Sequence, residues 1–475
     1  MILAPNLRLQ LNGSKFLLLI LSSVILLSCS TSQALYKPGN VPIPKKQEPV
    51  VQQKNPVDTV KWEVVEEEVK PPIQSAKEEV IPLNKKAVYN VALMLPFEAN
   101  SVDASTKAIT ENSATNRFLS FYTGAILAMG QLEQDGLSIN VDVYDSQRSA
   151  TKVNRDLNSF RLQNMDALIG PYGTRSNKSG LTAAAEFGKE NEITVVSPWY
   201  ASSTLAEENP YYVQLRPNTA DHFQKIVSHA KQNFDDSEIV LIGRDQADAK
   251  KKRSDENIIK YLQKIHKDMS DEERADDLRV FRVQTDSLLN GETAFDSIFY
   301  ETGRKAVIFP FYSSNDKSFM YNCLRRINGE KAFEPVHVYA MPLALETEEI
   351  GFNLYRNLNL KVCRSKFVDK ASPEVQSFKK EYYNAYGAIP NDDAYHGYDV
   401  MYFVGKNLQE YGRNFQFFVD ESQEYLQSSF RLEKVPVNKL DPELDKRSLD
   451  NVNYFVNKHL DIIEFQETAF KKLDD

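Results

Sequence analysis

From Val88 onward the chain alternates short apolar runs with amphipathic stretches. Val91-Ala92-Leu93-Met94-Leu95 is apolar throughout and is stopped by Pro96, as in a strand covered on both faces. Arg117 to Gln134 then carries Phe118, Phe121, Tyr122, Ala125, Met129 and Leu132 at helical spacing, one apolar face that Asp135-Gly136 ends. Ile139-Val141-Val143 alternates as a second strand closing at Asp145, and Ser149 is placed to cap a helix with Val153, Leu157, Phe160 and Leu162 inward.

The next stretch, Asp166 to Leu205, organises the rest. Ala167-Leu168-Ile169 is an apolar run closed by Gly170-Pro171. Ser176 to Glu190 reads as a helix whose Ala183, Ala184 and Ala185 let it lie close to a sheet, and Ile193 to Val196 is a strand ended by Ser197-Pro198. Two strands joined by such a helix form a βαβ unit with parallel strands. Ligands in parallel sheets bind beyond the carboxyl ends of strands. Here those ends present Tyr172, Thr174 and Arg175, then Ser197, Trp199, Tyr200 and Ser202: hydroxyls, a guanidinium and aromatic rings.

A second alternation follows Asn209-Pro210. Strands are expected at Val213–Leu215, Ile239–Ile242, Val280–Val283, Ala306–Phe309 and Val336–Tyr339. Helices are expected at Asp221–Asn233, Lys250–Met269, Phe295–Thr302 and Ser318–Ile327. Leu358 to Phe367 is an extended segment, Ser372–Tyr386 and Ala394–Tyr411 are helices, and Asp392-Asp393 stands where a cap would be. The tail holds two more strands, at Ser429–Leu432 and Asn453–Val456.

Composition is that of a soluble globular chain: 475 residues, 42% hydrophobic, 26% charged, net charge −9. Nucleic acid is excluded as a partner, because phosphate binding needs a basic surface. The six histidines are scattered without metal-ligand spacing, and no GxSxG, HExxH or phosphate-binding glycine loop occurs. No cofactor and no enzyme activity are expected. Cys323 and Cys363 sit in no ligand spacing, which leaves a bridge and two separate buried thiols both open.

The amino terminus reads as a targeting segment over residues 1–28. Arg8 and Lys15 precede an apolar run, Phe16 to Leu27, too short to span a bilayer comfortably. It ends in Leu26-Leu27-Ser28-Cys29, which resembles the lipobox of bacterial lipoproteins. That resemblance implies lipidation of Cys29 and, with Ser30 next, an outer-membrane lipoprotein facing the periplasm. Residues 29–87 are a Pro-rich linker with Pro38, Pro42, Pro44, Pro49, Pro56, Pro71, Pro72 and Pro82, too polar to bury a core.

Taken in order, the folded part resembles the type I periplasmic-binding fold, with the leucine/isoleucine/valine-binding proteins and related amino-acid receptor domains as the nearest family. The resemblance is carried by Val91–Pro96, Tyr122-Thr123-Gly124-Ala125, Ala167–Pro171, Val195–Pro198 and Leu215-Arg216-Pro217, then by Tyr386-Gly387 with Pro390, Gly397-Tyr398-Asp399 and Asn451–Asn457. It implies an α/β fold of two doubly wound parallel-sheet lobes joined by a three-crossing hinge. The expected limits are 88–209 with 363–412 for the first lobe, 210–362 with 413–465 for the second, and a tail from 466. It also implies that Arg244, Phe311, Tyr312 and Met341 of the second lobe join the strand-end residues named above in a ligand cleft. The chain departs from the family pattern at Trp199-Tyr200 and at Arg244-Asp245-Gln246.

Two functions follow from the resemblance. One is a lipid-anchored receptor for a small amino acid or peptide, serving a membrane transporter. The other is a non-enzymatic outer-membrane lipoprotein that regulates a cell-wall partner such as a peptidoglycan synthase. The long Pro-rich spacer speaks for the second, the strand signatures for the first.

Overall fold

The structure, a computed structural model, describes residues 81–473 apart from 100–113, 203–204, 206–207, 271–275, 292–293, 300–302, 332–333, 438–448 and 450–451. The targeting segment, Cys29 and most of the Pro-rich linker lie outside the described residues.

Two seven-stranded sheets account for the architecture. The first contains β1 (Tyr89–Leu95), β2 (Ile139–Asp145), β3 (Ala167–Ile169), β4 (Thr194–Ser197), β5 (Tyr212–Gln214), β13 (Leu432–Pro436) and β14 (Val452–Asn457). Its order is β13-β14-β5-β4-β3-β1-β2, parallel except for β13. The second contains β6 (Ile239–Asp245), β7 (Arg279–Gln284), β8 (Lys305–Phe309), β9 (Val336–Ala340), β10 (Lys361–Arg364), β15 (Asp461–Gln466) and β16 (Ala469–Lys472). Its order is β16-β15-β10-β9-β8-β6-β7, with β15 and β16 antiparallel to their neighbours. A small hairpin pairs β11 (Gln423–Glu424) with β12 (Ser429–Phe430).

Both sheets are covered on both faces, which is why their strands read as unbroken apolar runs. Val91, Leu93 and Leu95 of β1 face one core, while Ala92 and Met94 face another. Val240 and Ile242 of β6 are divided from Ile239 and Leu241 in the same way. Each fully buried aliphatic side chain contributes about 1.5–3 kcal/mol of transfer free energy. The βαβ unit read from sequence is present: β3 and β4 pair parallel, Ala167 opposite Thr194, joined by the helix Ser179–Asn191.

The helices Ala114–Gln134 and Asp392–Tyr411 pack backbone to backbone on the first sheet. A Cβ on Gly124 would stand 1.9 Å from the Ala394 carbonyl oxygen, and one on Gly397 would stand 1.8 Å from that of Phe121. The Asp392–Tyr411 helix is capped by Asn391, whose side chain accepts from the Ala394 amide at 3.0 Å. Asp392 and Asp393, expected as caps, fall instead in the first turn, where Asp393 pairs with Arg117 at 3.0 Å. Of the helix expected over Phe295–Thr302, the described part is one 3-10 turn, Asp296–Phe299, and 300–302 lie outside the described residues.

The chain passes between the sheets three times, after β5, after β10 and after β14. This corrects the lobe limits expected at 210 and 413. β5 remains in the first sheet, and β13 and β14 return to it rather than to the second. β14 pairs parallel with β5, Phe455 opposite Val213, and the Phe455 ring packs 4.9 Å from that of Phe417 in the first core. Asn457 ties two of the crossings together. Its Nδ2 donates to the Leu215 carbonyl at 3.2 Å, and its Oδ1 accepts from the His459 amide at 3.0 Å. The crossing after β10 is fastened where the Phe367 amide donates to the Gln427 carbonyl at 2.7 Å. Asp399 holds the same hairpin, accepting from the amides of Leu426, Gln427 and Ser428 at 3.0, 3.0 and 2.8 Å.

Candidate functional site

The strand ends of the first sheet build one wall of a cleft of about 450 Å³. After β3 the chain turns at Gly170, φ +94°, where a Cβ would lie 2.4 Å from the Met94 carbonyl oxygen. The loop then presents Tyr172, Thr174 and Arg175. A pair of backbone bonds between Thr174 and Asn177, 3.0 and 3.1 Å, fixes its shape. After β4 come Trp199, Tyr200 and Ser202. Ser202 is positioned by Gln214, whose Oε1 accepts from the Ser202 amide at 3.0 Å and whose Nε2 donates to the Arg216 carbonyl at 2.8 Å.

Beneath these loops lies an aromatic floor. Trp199 is 5% exposed and packs against Phe121 (4.9 Å between centroids), Phe118 (5.5 Å) and Tyr172 (5.7 Å). His396 closes the cluster, 5.5 Å from Phe121, and burial holds its imidazole well below its ordinary pKa. The unusual Trp199 is therefore mainly a packing residue that stiffens the wall, with its edge on the cleft.

The opposite wall comes from the second lobe: Tyr312, 49% exposed, beyond β8, and Met341, Leu343 and Glu346 beyond β9. The first crossing supplies Arg216, Thr219 and His222. Thr219 opens the helix Thr219–Asn233, whose Asn218–Asp221 capping box points its amino end at the cleft. Burial lowers the His222 pKa to about 4, so the ring is neutral at pH 7.

Charge in the lining is unbalanced. Among the described residues it carries Arg117, Arg175 and Arg216 against one acid, Glu346. Arg117 is offset by Asp393 and lies 5.9 Å from the Tyr172 ring. Among the described residues Arg175 and Arg216 have no carboxylate partner; Arg216 donates only to the Trp199 carbonyl, at 3.2 Å. The surrounding protein, and then the charge of Arg117, lower the Arg216 pKa from its ordinary value. Burial brings the Lys366 pKa down to about 7, with Asp393 and Asp399 opposing and Arg117 and Arg216 reinforcing the shift.

Of the residues read from sequence as ligand-binding, Tyr172, Thr174, Arg175, Trp199, Tyr200, Ser202, Tyr312 and Met341 converge on this cleft. Three do not. Ser197 is buried inside β4. Phe311 is buried in the second-lobe core. Arg244 lies over the Phe311 and Phe319 rings, each 5.1 Å away, and donates to Asp255 at 2.9 and 3.1 Å and to Asp316 at 2.8 Å. Arg117, Arg216, His222 and Glu346 line the cleft without having been singled out. Only Arg216 carried a signal, as part of the Leu215-Arg216-Pro217 crossing motif.

Residues 123–436 match the model of the receptor family ligand binding region. The chain belongs to that family. Within it, the two lobes, three crossings and intervening cleft make this receptor domain a type I periplasmic-binding fold. A putative branched-chain amino acid ABC transporter protein from Rhodospirillum rubrum superposes with a TM-score of 0.55 at 13% identity, covering 81% of this chain and 100% of that one. An ABC transporter substrate-binding protein from Desulfitobacterium hafniense, in complex with Leu, gives a TM-score of 0.46 at 14% identity over 81% and 100% of the two chains. No curated protein gives a significant match. Among the described residues of this receptor-family chain, no group of three or more His, Cys, Asp or Glu could hold a metal ion, and no helix is long and apolar enough to cross a membrane.

Proposed function

We propose that this chain is a lipid-anchored periplasmic solute receptor that closes two lobes over a small amino-acid-like ligand and serves a membrane transporter. It is read as a binding protein and not as an enzyme, anchored through Cys29 to the outer membrane and facing the periplasm. One observation carries the reading: loops from both lobes and a hinge crossing converge on a single cleft of about 450 Å³. That size falls in the roughly 300–1,000 Å³ range of small-molecule sites. The test is a melting-temperature screen of the purified chain against amino acids, short peptides and peptidoglycan fragments. A ligand at about 100 times its Kd should stabilise by about 2.7 kcal/mol, and Tyr200→Ala or Thr174→Ala should reduce that shift. A flat screen would count against the receptor.

The eight prolines between residues 38 and 82 favour a second reading, a lipoprotein that reaches a cell-wall synthase. It predicts a flat screen together with direct binding to such an enzyme, retained when cleft residues are replaced. Metabolic labelling with palmitate, lost in Cys29→Ser, tests the anchor common to both.

A further inference from the structure

The cleft runs against the charge of the molecule. The whole chain carries −9, yet the lining holds three guanidinium groups and one carboxylate. The aliphatic pocket that a branched side chain would need is largely missing. The larger aliphatic side chains of the lining, Leu343 and Met341, are both nearly fully buried, and beside them stand only Ala201, Pro217 and Pro342, while arginines, Thr174, Thr219, Ser202, Tyr312 and Glu346 supply polar groups.

The guanidinium groups come from three separate elements: the first turn of the Ala114–Gln134 helix, the loop after β3 and the first crossing. They are not drawn together by acids between them. Arg117 has Asp393, while Arg175 and Arg216 are in no ion pair among the described residues; Glu346 acts on Arg216 only at longer range. Like charges held together without a counterion repel one another. The effect is visible in Arg216, whose pKa is lowered first by burial and then by Arg117, with Tyr172 and Glu346 only partly opposing. An anion in the cleft relieves that repulsion and meets bidentate donors suited to carboxylate. Glu346, on the other lobe, is placed to meet a cation on the same ligand once the lobes close.

We propose, resting on the receptor reading above, that the preferred ligand is an acidic amino acid, with two carboxylates taken by Arg175 and Arg216 and an ammonium by Glu346. A neutral aliphatic amino acid leaves one guanidinium unmatched and finds little apolar surface.

Calorimetric titration of the full-length chain in detergent tests this, using L-glutamate, L-aspartate, L-leucine and inorganic phosphate as probes. The expected result is binding of L-glutamate or L-aspartate, with L-leucine and phosphate weaker by at least about tenfold. Arg175→Gln and Arg216→Gln should each weaken binding by about 10- to 100-fold. Arg175 is an exposed loop residue away from the crossing, so its variant tests the charge assignment independently of any effect of Arg216 on the hinge. L-leucine binding as tightly as the acidic amino acids overturns the charge assignment and leaves the receptor reading intact. Unchanged affinity in both arginine variants overturns it too, as does phosphate matching L-glutamate. Binding of none of the four probes overturns the assignment; the broader ligand screen then decides separately whether the receptor reading survives.

Discussion

Nη1 of Arg216 donates to the carbonyl oxygen of Trp199 across 3.2 Å, joining the first hinge crossing to the loop after β4. One residue thus belongs both to the hinge and to the cleft wall. The bond is to a neutral acceptor at a half-buried site, where such bonds contribute about 1 kcal/mol. Arg117's like charge opposes the Arg216 guanidinium and offsets part of that gain. Arg216→Gln should therefore change unfolding stability by less than about 1 kcal/mol, measured by urea titration. A larger loss would mean that Arg216 chiefly holds the hinge.

Arg244 predicts the opposite. Its guanidinium is the partner of two buried carboxylates, Asp255 and Asp316. Removing it leaves both without a counter-charge, with only the Gln246 side-chain amide on Asp255 and the Ser313 backbone amide on Asp316. Arg244→Ala should cost about 3–5 kcal/mol in chemical denaturation and leave ligand affinity of the folded fraction unchanged. A stable Arg244→Ala protein that has lost binding would return this residue to the cleft.

The glycine contacts between the two long helices of the first lobe give a matched pair of variants. A Cβ at Gly397 or Gly124 meets backbone, which has no rotamer to yield. Gly397→Ala should destabilise by about 1–3 kcal/mol. Gly130 lies on the same helix as Gly124 with nothing within 4 Å of its would-be Cβ. Gly130→Ala should stabilise by about 0.5–1 kcal/mol through helix propensity. Equal effects at the two sites, measured by thermal melts, would contradict the close packing.

Histidines set the response to acid. Burial lowers the pKa of His222 and His337 to about 4 and that of His396 well below its ordinary value. Above about pH 7.5 all three are essentially neutral, folded or unfolded, and contribute little pH dependence. As pH falls from about 6.5 towards 4, the unfolded chain takes up protons that the folded chain refuses, so stability falls. At pH 5 each fully buried histidine costs up to about 2 kcal/mol; the partly exposed His337 costs less. Asp399, whose pKa burial raises to about 7, binds its proton on folding over the same window and opposes the decline. The histidine contribution is therefore read as the difference between melts of the wild type and His396→Gln from about pH 7.5 to 5, the variant losing less stability in acid. Equal pH slopes in the two proteins would contradict it.

Cys323 and Cys363 are free, buried, and have thiol pKa values raised by burial. Neither should react with a thiol reagent in the native protein, and reductant should leave the melting temperature unchanged.

Much of this architecture could be read in the chain because burial on both sheet faces leaves apolar runs with sharp ends. Ala167–Ile169 before Gly170-Pro171 and Val195-Val196 before Ser197-Pro198 are cases where the local pattern and the tertiary setting agree. The place of β14 could not be read. The run at Asn453–Val456 suits either sheet, and its partner Val213 lies far back in sequence. Arg244 shows the same limit at the site. Its position at a strand end is what a ligand residue would have, and only folding brings Asp316 to it. Arg117 and Glu346 carry no local mark; what makes them cleft residues is the approach of two lobes.

Small-angle scattering of the full-length chain with and without L-glutamate tests the central claim most directly. If the cleft takes a ligand between hinged lobes, saturating L-glutamate should lower the radius of gyration, and Arg175→Gln should require more of it to do so. Identical curves in buffer, L-glutamate and L-leucine would contradict a closing receptor.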